Sequence, residues 1–330
     1  MNVNSVSRRI ISVIAMLVAS CWAYAQTQSS AFSFLKIPRS SHEAALGGHA
    51  VSLPESDPTL IYSNPAILSV VGHRTLGLNV TTWLAGTTVA GAQYCDTVAS
   101  RSSWAVSARY VGYGVTDMTN VTGEVAGTYS ARDISLDGTY SYRLGDNWSG
   151  GVTMHALYSR YHSYTSFAMA ADLGVFYISP SGLVSAGLTF ANIGGQIRPF
   201  QDTYETLPFD ITAGITWKLR HAPLRLTLTM DNLNRWSASD FYSADGSLKF
   251  KDILLRHFNI GADILFTDNI YASVGYSFRN RAELATGSSK GLTGLNVGAG
   301  IHLNRMQFGI SFGKYQVSTS SFIFNFAINI

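Results

Sequence analysis

Two serine–lysine pairs, Ser33 with Lys36 and Ser311 with Lys314, have the S-x-x-K spacing that activates a serine nucleophile in penicillin-binding enzymes. That chemistry needs a helix to bring Ser and Lys together, and companion K-T-G and S-D-N motifs. Neither companion occurs in the chain. Ser311 also falls in a run of strand-like alternation, so both pairs are read as chance matches. The eight histidines are scattered, and no H-E-x-x-H or paired Cys/His spacing offers a metal site. His155 and His257 read as hydrogen-bonded polar residues on inward strand faces. No G-x-S-x-G elbow and no Walker loop is present. The chain is therefore expected not to be an enzyme, and no cofactor is implied.

The spacing signals that remain lie between Ile37 and Leu68. Ser40 and Glu43 are placed as a capping box, in which each side chain satisfies an open N–H at a helix start. Ala44, Ala45 and Leu46 continue that turn, and Gly47-Gly48 end it, since glycine accepts the left-handed conformation. Asn64-Pro65-Ala66 marks a second short helix, with Asn as N-cap and Pro at the first helical position. Such turns read as a plug or docking segment, or as an ordinary surface arm. The run Ala45, Leu46, Gly47, Gly48 (ALGG), followed by Asn64, Pro65, Ala66 (NPA), resembles the N-terminal pattern of FadL-type outer-membrane barrels. The fuller run FSFLKIPRSSHEAALGGHAVSL is most similar to the PorV/PorQ branch of that family, associated with type IX secretion. The resemblance implies that the NPA segment belongs to a hatch folded into a barrel lumen.

The elements that would hold these residues follow from the rest of the chain. Arg8 and Arg9, the apolar run Ile10 to Ala19 and Ala23-Tyr24-Ala25 form a Sec signal peptide over residues 1–25. Val18-Ala19-Ser20-Cys21 offers an alternative lipobox, with Cys21 lipidated. Cleavage after Ala25 leaves Cys95 as the one cysteine, which excludes an internal disulfide. Losing Arg8 and Arg9 lowers the formal net charge from +3 to +1, so no basic nucleic-acid footprint is present. Charged residues make up 13% of the chain, about half the soluble norm. No stretch after the signal is long and apolar enough for a transmembrane helix. An exported, apolar-leaning chain of this kind points to a transmembrane β-barrel, because only helices and closed barrels satisfy their backbones in lipid.

From Arg74 onward the hydrophobic period is two. Ile134, Leu136, Tyr140 and Tyr142 fall on one face against Asp133, Ser135, Asp137, Thr139 and Ser141. Leu224, Leu226, Leu228 and Met230 alternate with Arg225, Thr227, Thr229 and Asp231. Phe322, Phe324, Phe326, Ile328 and Ile330 make one face of the last run. About fourteen such runs appear, each near the ~9–11 residues a tilted strand needs to cross. Short turns near 145–147, 179–182, 221–222, 268–269 and 304 alternate with longer loops near 116–130, 191–205, 237–252 and 281–290. That alternation is the mark of an outer-membrane barrel. Trp83, Tyr113, Tyr158, Tyr161 and Trp236 are expected to form an outer aromatic girdle. Tyr142, Trp148, Tyr177 and Trp217 are expected to form the inner one.

The fold class expected is therefore all-β: a fourteen-stranded antiparallel transmembrane β-barrel over 74–330, preceded by an arm and hatch over 26–73. It would sit in the Gram-negative outer membrane after Sec export, with outer-membrane lipid around it and no nucleic acid as partner. The resemblance implies a component of the type IX secretion system that anchors the cell-surface attachment complex, with PorU-, PorV- and PorZ-like partners. The mixed, polar loop Ser237 to Asp252 fits that role better than capture of a hydrocarbon. The alternative is a FadL-like transporter of fatty acids or other hydrophobic compounds.

Overall fold

The computed structural model describes residues 31–120, 124–242, 248–284, 292–314 and 320–330. The signal peptide, its cleavage after Ala25 and the lipidation of Cys21 lie outside the described residues. Fourteen strands follow in chain order: β1 Thr75–Thr82, β2 Thr88–Ala99, β3 Ser102–Thr119, β4 Val125–Arg143, β5 Trp148–Tyr161, β6 Tyr164–Ile178 and β7 Val184–Arg198. The wall continues with β8 Asp210–Lys218, β9 Leu224–Met230, β10 Phe258–Thr267, β11 Ile270–Ser277, β12 Leu295–His302, β13 Met306–Gly313 and β14 Ser321–Asn329. Every strand pairs antiparallel with its sequence neighbours, and β14 closes on β1 from Thr75↔Asn329 to Thr82↔Phe322. Closure leaves no edge strand, so each strand is paired on both sides within the wall.

The period of two sorts the side chains as the pleat requires. Leu136, Leu226, Leu228, Ile264, Phe322 and Phe324 point outward and stay exposed. Asp137, Thr227, Asp263 and Asn325 point inward and are buried. An exposed apolar belt around a whole barrel exceeds anything a water-soluble monomer shows, and it matches the lipid-facing band of a transmembrane barrel.

Sequence expectations need correction at four places. The long loop expected near 191–205 begins later, since β7 continues to Arg198 and stays paired with β6 as far as Phe167↔Arg198. Within the expected loop 116–130, residues 116–119 and 125–130 are strand, because β3 and β4 stay paired as far as Thr119↔Val125. Above the membrane both faces of that hairpin meet water, so its sequence carries no apolar alternation. A register irregularity between Gly112 and Val115 marks its base, where Gly114 has φ +76°. The strand expected to begin near 253 begins at Phe258, after the helix α2 Phe250–Leu255. The outer girdle is also incomplete: Trp83 and Tyr113 pack on an interior apolar cluster, and the Tyr161 hydroxyl turns to Asp133 at 3.2 Å. At the short-turn end Tyr142, Trp148 and Trp217 are exposed as expected, with Trp148 against Tyr177 at 4.8 Å.

Residues 31–73 run down the inside of this wall. They begin at the long-loop mouth, where the Ala31 N–H donates to Thr206 O. They then form a 3-10 turn (Ser33–Lys36), the helix α1 Ser41–Ala45, and 3-10 turns at Pro58–Tyr62 and Pro65–Val70 before entering β1 at the other end. Most of this segment is buried, so the lumen is a packed interior.

Candidate functional site

The motif residues seat the segment against the wall in two places. Ser40 accepts the Glu43 N–H and starts α1, and Gly47 and Gly48 follow it at φ +110° and +112°, where a β-branched residue would be strained. Ala45, Leu46 and Gly47 then lie directly on Gly275 and Gly298 of β11 and β12. Asn64 and Pro65 lie likewise on Gly151 and Gly174 of β5 and β6. A side chain on any of these wall glycines would overlap the plug. Asn64 is fully buried. Its Oδ1 accepts the Ala66 N–H at 3.0 Å, while its Nδ2 donates to Val51 O at 2.9 Å and Val175 O at 3.1 Å. One amide thus caps a helix, ties two plug segments together and binds the plug to β6. The structure brings Asn64, Pro65 and Ala66 to β5 and β6, and Ala45, Leu46 and Gly47 to the opposite wall, while the Cβ position of Gly48 faces open space.

Two buried charge clusters join plug to wall, and the sequence reading named neither. His42 bridges Glu55 (2.7 Å) and Asp263 (2.9 Å), and Arg225 binds the same two carboxylates at 2.6 and 2.7 Å. The His42 ring stacks on Tyr271 at 4.1 Å. Burial alone would lower the His42 pKa, but Glu55 and Asp263 outweigh it and push it up to about 9. Burial would raise Glu55, yet Arg225 and His42 hold it well below the usual carboxylate range. In the second cluster Arg39 reaches Asp137 at 3.1 Å, and His155 bridges Asp137 (2.7 Å) and Asp172 (2.9 Å). The visible signal was the charge on inward faces of alternating strands, at Asp137, Arg225 and Asp263.

A pH dependence of plug docking follows. An undocked His42 titrates near 6.5, so its contribution is complete below that value and is lost as pH rises through about 9. The Glu55 contribution is complete above 4.5 and is lost as pH falls toward its depressed value. Protease cleavage within residues 31–73 of the purified barrel is therefore expected to be slowest near pH 5–6.5 and to accelerate between pH 7 and 9.5. His42→Gln is expected to remove the alkaline acceleration. A flat profile over that range would show that His42 does not hold the plug.

Towards the long-loop mouth the lumen changes character. Phe32, Phe34 and Ile37 of the plug pack with Val89, Val111, Leu157, Ala168 and Leu207, all buried. This is a packed apolar cluster inside a wall whose inward residues are elsewhere mainly polar. Above it lies a cavity of about 320 Å³ between Phe32, Tyr161, Tyr164 and Phe200. Beside it a charged vestibule of about 310 Å³ is lined by Lys36, Arg39, Glu43, Asp172, Asp210 and Asp231. The Lys36 side chain opens onto the vestibule, yet enclosure by the surrounding loops, with Arg235 and Arg279 nearby, brings its pKa down to about 8.

The two S-x-x-K pairs stay apart from any chemistry. Ser33 sits exposed in a 3-10 turn, and Ser311 faces the lumen from β13. His155 and His257 are buried and hydrogen-bonded, His257 to Asp231 O at 2.8 Å. Cys95 is buried against Ile61, Leu68, Val71 and Ala105. Among the described residues no group of three or more His, Cys, Asp or Glu side chains is placed to hold a metal ion.

Wall and lumen together define a class, the closed fourteen-stranded antiparallel barrel of outer-membrane type. No family model and no curated protein matches the chain. Among solved structures it is similar to the toluene transporter TodX of Pseudomonas putida, with a TM-score of 0.57 and 13% identity over 89% of this chain and 99% of that one. It is similar to the monoaromatic hydrocarbon channel CymD (TM-score 0.54, 13% identity, 88% of this chain and 97% of that one). A FadL homologue of Pseudomonas aeruginosa gives a TM-score of 0.54 at 10% identity, over 88% of this chain and 98% of that one. These neighbours are FadL-family outer-membrane barrels, and the likeness is one of fold.

Proposed function

We propose that this protein is a FadL-like outer-membrane channel for hydrophobic compounds, exported through Sec and set in the lipid by its apolar belt. The observation that carries the reading is the apolar lumen wall of Val89, Val111, Leu157 and Leu207, covered by Phe32 and Phe34 and placed directly behind the aromatic mouth. A water-filled pore has no use for such a lining, whereas a binding site for an apolar molecule is built this way. The chain's own Phe32 and Phe34 pack on that wall, so passage requires these plug residues to withdraw. The solved barrels of this shape described as toluene and monoaromatic hydrocarbon channels support the same reading.

A second reading, an anchor for the type IX attachment complex in the manner of PorQ, is favoured by one observation. The ALGG and NPA residues lie in a plug pinned by two buried charge clusters, as an anchor that never opens would require. Deletion of the protein distinguishes the two. Under the channel reading, uptake of labelled toluene or oleate falls severalfold, and the variant Phe34→Asp binds these compounds more weakly. Unchanged uptake with release of type IX cargo from the cell surface would replace the channel by the anchor and its PorU-, PorV- and PorZ-like partners.

A further inference from the structure

The plug is not held equally on all sides. Side chains of β4 to β14 hydrogen-bond to it repeatedly, through Asp137, Arg143, Ser185, Arg225, Asp263 and Asn325. Among the described residues, the wall of β1 to β3 reaches residues 31–71 more sparsely, through Arg109 Nη2 to Ile37 O at 3.1 Å and through Ser107 beside the Tyr62 hydroxyl. The same wall carries seven fully buried side-chain atoms with no hydrogen-bond partner: both amide atoms of Asn79 and of Gln93, Thr81 Oγ1, and Nε and Nη1 of Arg109. These residues are 0–2% exposed.

Register puts the atoms together. Asn79, Gly91 and Arg109 share one row across β1, β2 and β3. Gly91 has no side chain to separate them, and the Asn79 amide lies over it, filling the place a Cβ would take. Gln93 lies over Gly77 one row below, and Thr81 is one row above. Five of the groups are donors: two on Arg109, the two amide nitrogens and the threonine hydroxyl. The carboxylates on the facing strand are engaged elsewhere. Asp137 is held by Arg39 and His155, and Asp133 by Ser159, Tyr113 and Tyr161. A guanidinium buried without an ion-pair partner is strongly unfavourable, and each buried donor without an acceptor adds to that cost. A small anion within this donor set resolves both terms at once.

We propose that Arg109, with Asn79, Gln93 and Thr81, forms a site for a small inorganic anion of halide size, bound between the plug and the β1–β3 wall. The anion is the counter-ion of Arg109 and the glue on the side where direct bonds are few. The apolar clusters around Val89 and Val111 on one side and Cys95 and Ala105 on the other close it in, which excludes bulky anions. Plug docking thereby depends on the anion present, whatever compound the barrel carries.

The full chain in detergent tests this. Protease cleavage within residues 31–73 is followed in sodium chloride, bromide or gluconate at equal ionic strength, and crystals grown in bromide are examined by anomalous scattering. Chloride and bromide are expected to slow cleavage at least threefold relative to gluconate, with a bromide peak in hydrogen-bond reach of Arg109. Arg109→Gln, which keeps donors but not the charge, is expected to abolish the halide effect, and Asn79→Ala to weaken it. Equal protection by gluconate, a halide effect that survives Arg109→Gln, or protection by octanoate but not chloride would each overturn the proposal. If Arg109→Gln fails to fold, the bromide peak in the unaltered protein decides alone.

Discussion

Arg225→Met is expected to loosen the plug by about 3–5 kcal/mol while the barrel stays closed, because removing one partner strands a buried charge. Arg225 now binds Glu55 and Asp263 at 2.6 and 2.7 Å, and His42 sits between the same carboxylates. Without the guanidinium, two carboxylates share one imidazolium in a region closed to water. Glu55 belongs to the plug and Asp263 to β10, so their repulsion separates the two bodies. The barrel keeps its own closed ladder and is expected to retain its heat-dependent shift in SDS gels. Cleavage within residues 31–73 should accelerate by two orders of magnitude or more, with leakage of small solutes. Neutralising the carboxylates as well, with Glu55→Gln and Asp263→Asn, should recover most of the loss, since removing a whole buried ion set is often nearly neutral. Cleavage that changes less than threefold in Arg225→Met would mean that water reaches the cluster and the charges do not hold the plug.

The wall was legible in the sequence because lipid on one side and a polar interior on the other impose a strict period of two. Within the membrane band that signal placed the faces of the strands, down to Leu226 outside and Thr227 inside. The signal failed where its cause ends. Beyond Gly112 the β3–β4 hairpin is exposed on both faces, so 116–130 looked like a loop although 116–119 and 125–130 are paired strand. Trp83, Tyr113 and Tyr161 looked like girdle residues because spacing shows that an aromatic lies near a strand end but not which way it turns. The plug was legible at its caps, where Ser40, Gly47, Gly48 and Asn64 act over a few residues. Its charge clusters were not, since the partners of His42 stand 13 and 221 positions away. No local pattern spans such a distance. The apolar cluster escaped for the same reason: Phe32 and Phe34 meet Val89, Val111 and Leu157 only once the wall has closed.

The wall itself is expected to fail at Leu226→Arg and to survive Thr227→Arg, although the two positions are adjacent. Leu226 lies mid-strand between Trp217 and Ala262 and faces outward, 42% exposed. An arginine on the lipid face costs about 2–4 kcal/mol near the midplane, because no neighbour there can hydrate or pair the guanidinium. Insertion yield and the heat-stable band should both drop. Thr227 faces the lumen, 2% exposed, where its hydroxyl meets Thr216 at 3.2 Å and Thr216 meets Ser52 of the plug at 2.8 Å. An arginine there touches no lipid but needs the space that Ser52 fills. Its effect should therefore appear as faster cleavage within residues 31–73, with insertion unchanged. The two substitutions thus separate what lipid demands of the wall from what the plug demands of the lumen. Equal loss of insertion at both sites would mean that this strand does not present Leu226 to lipid and Thr227 to the plug.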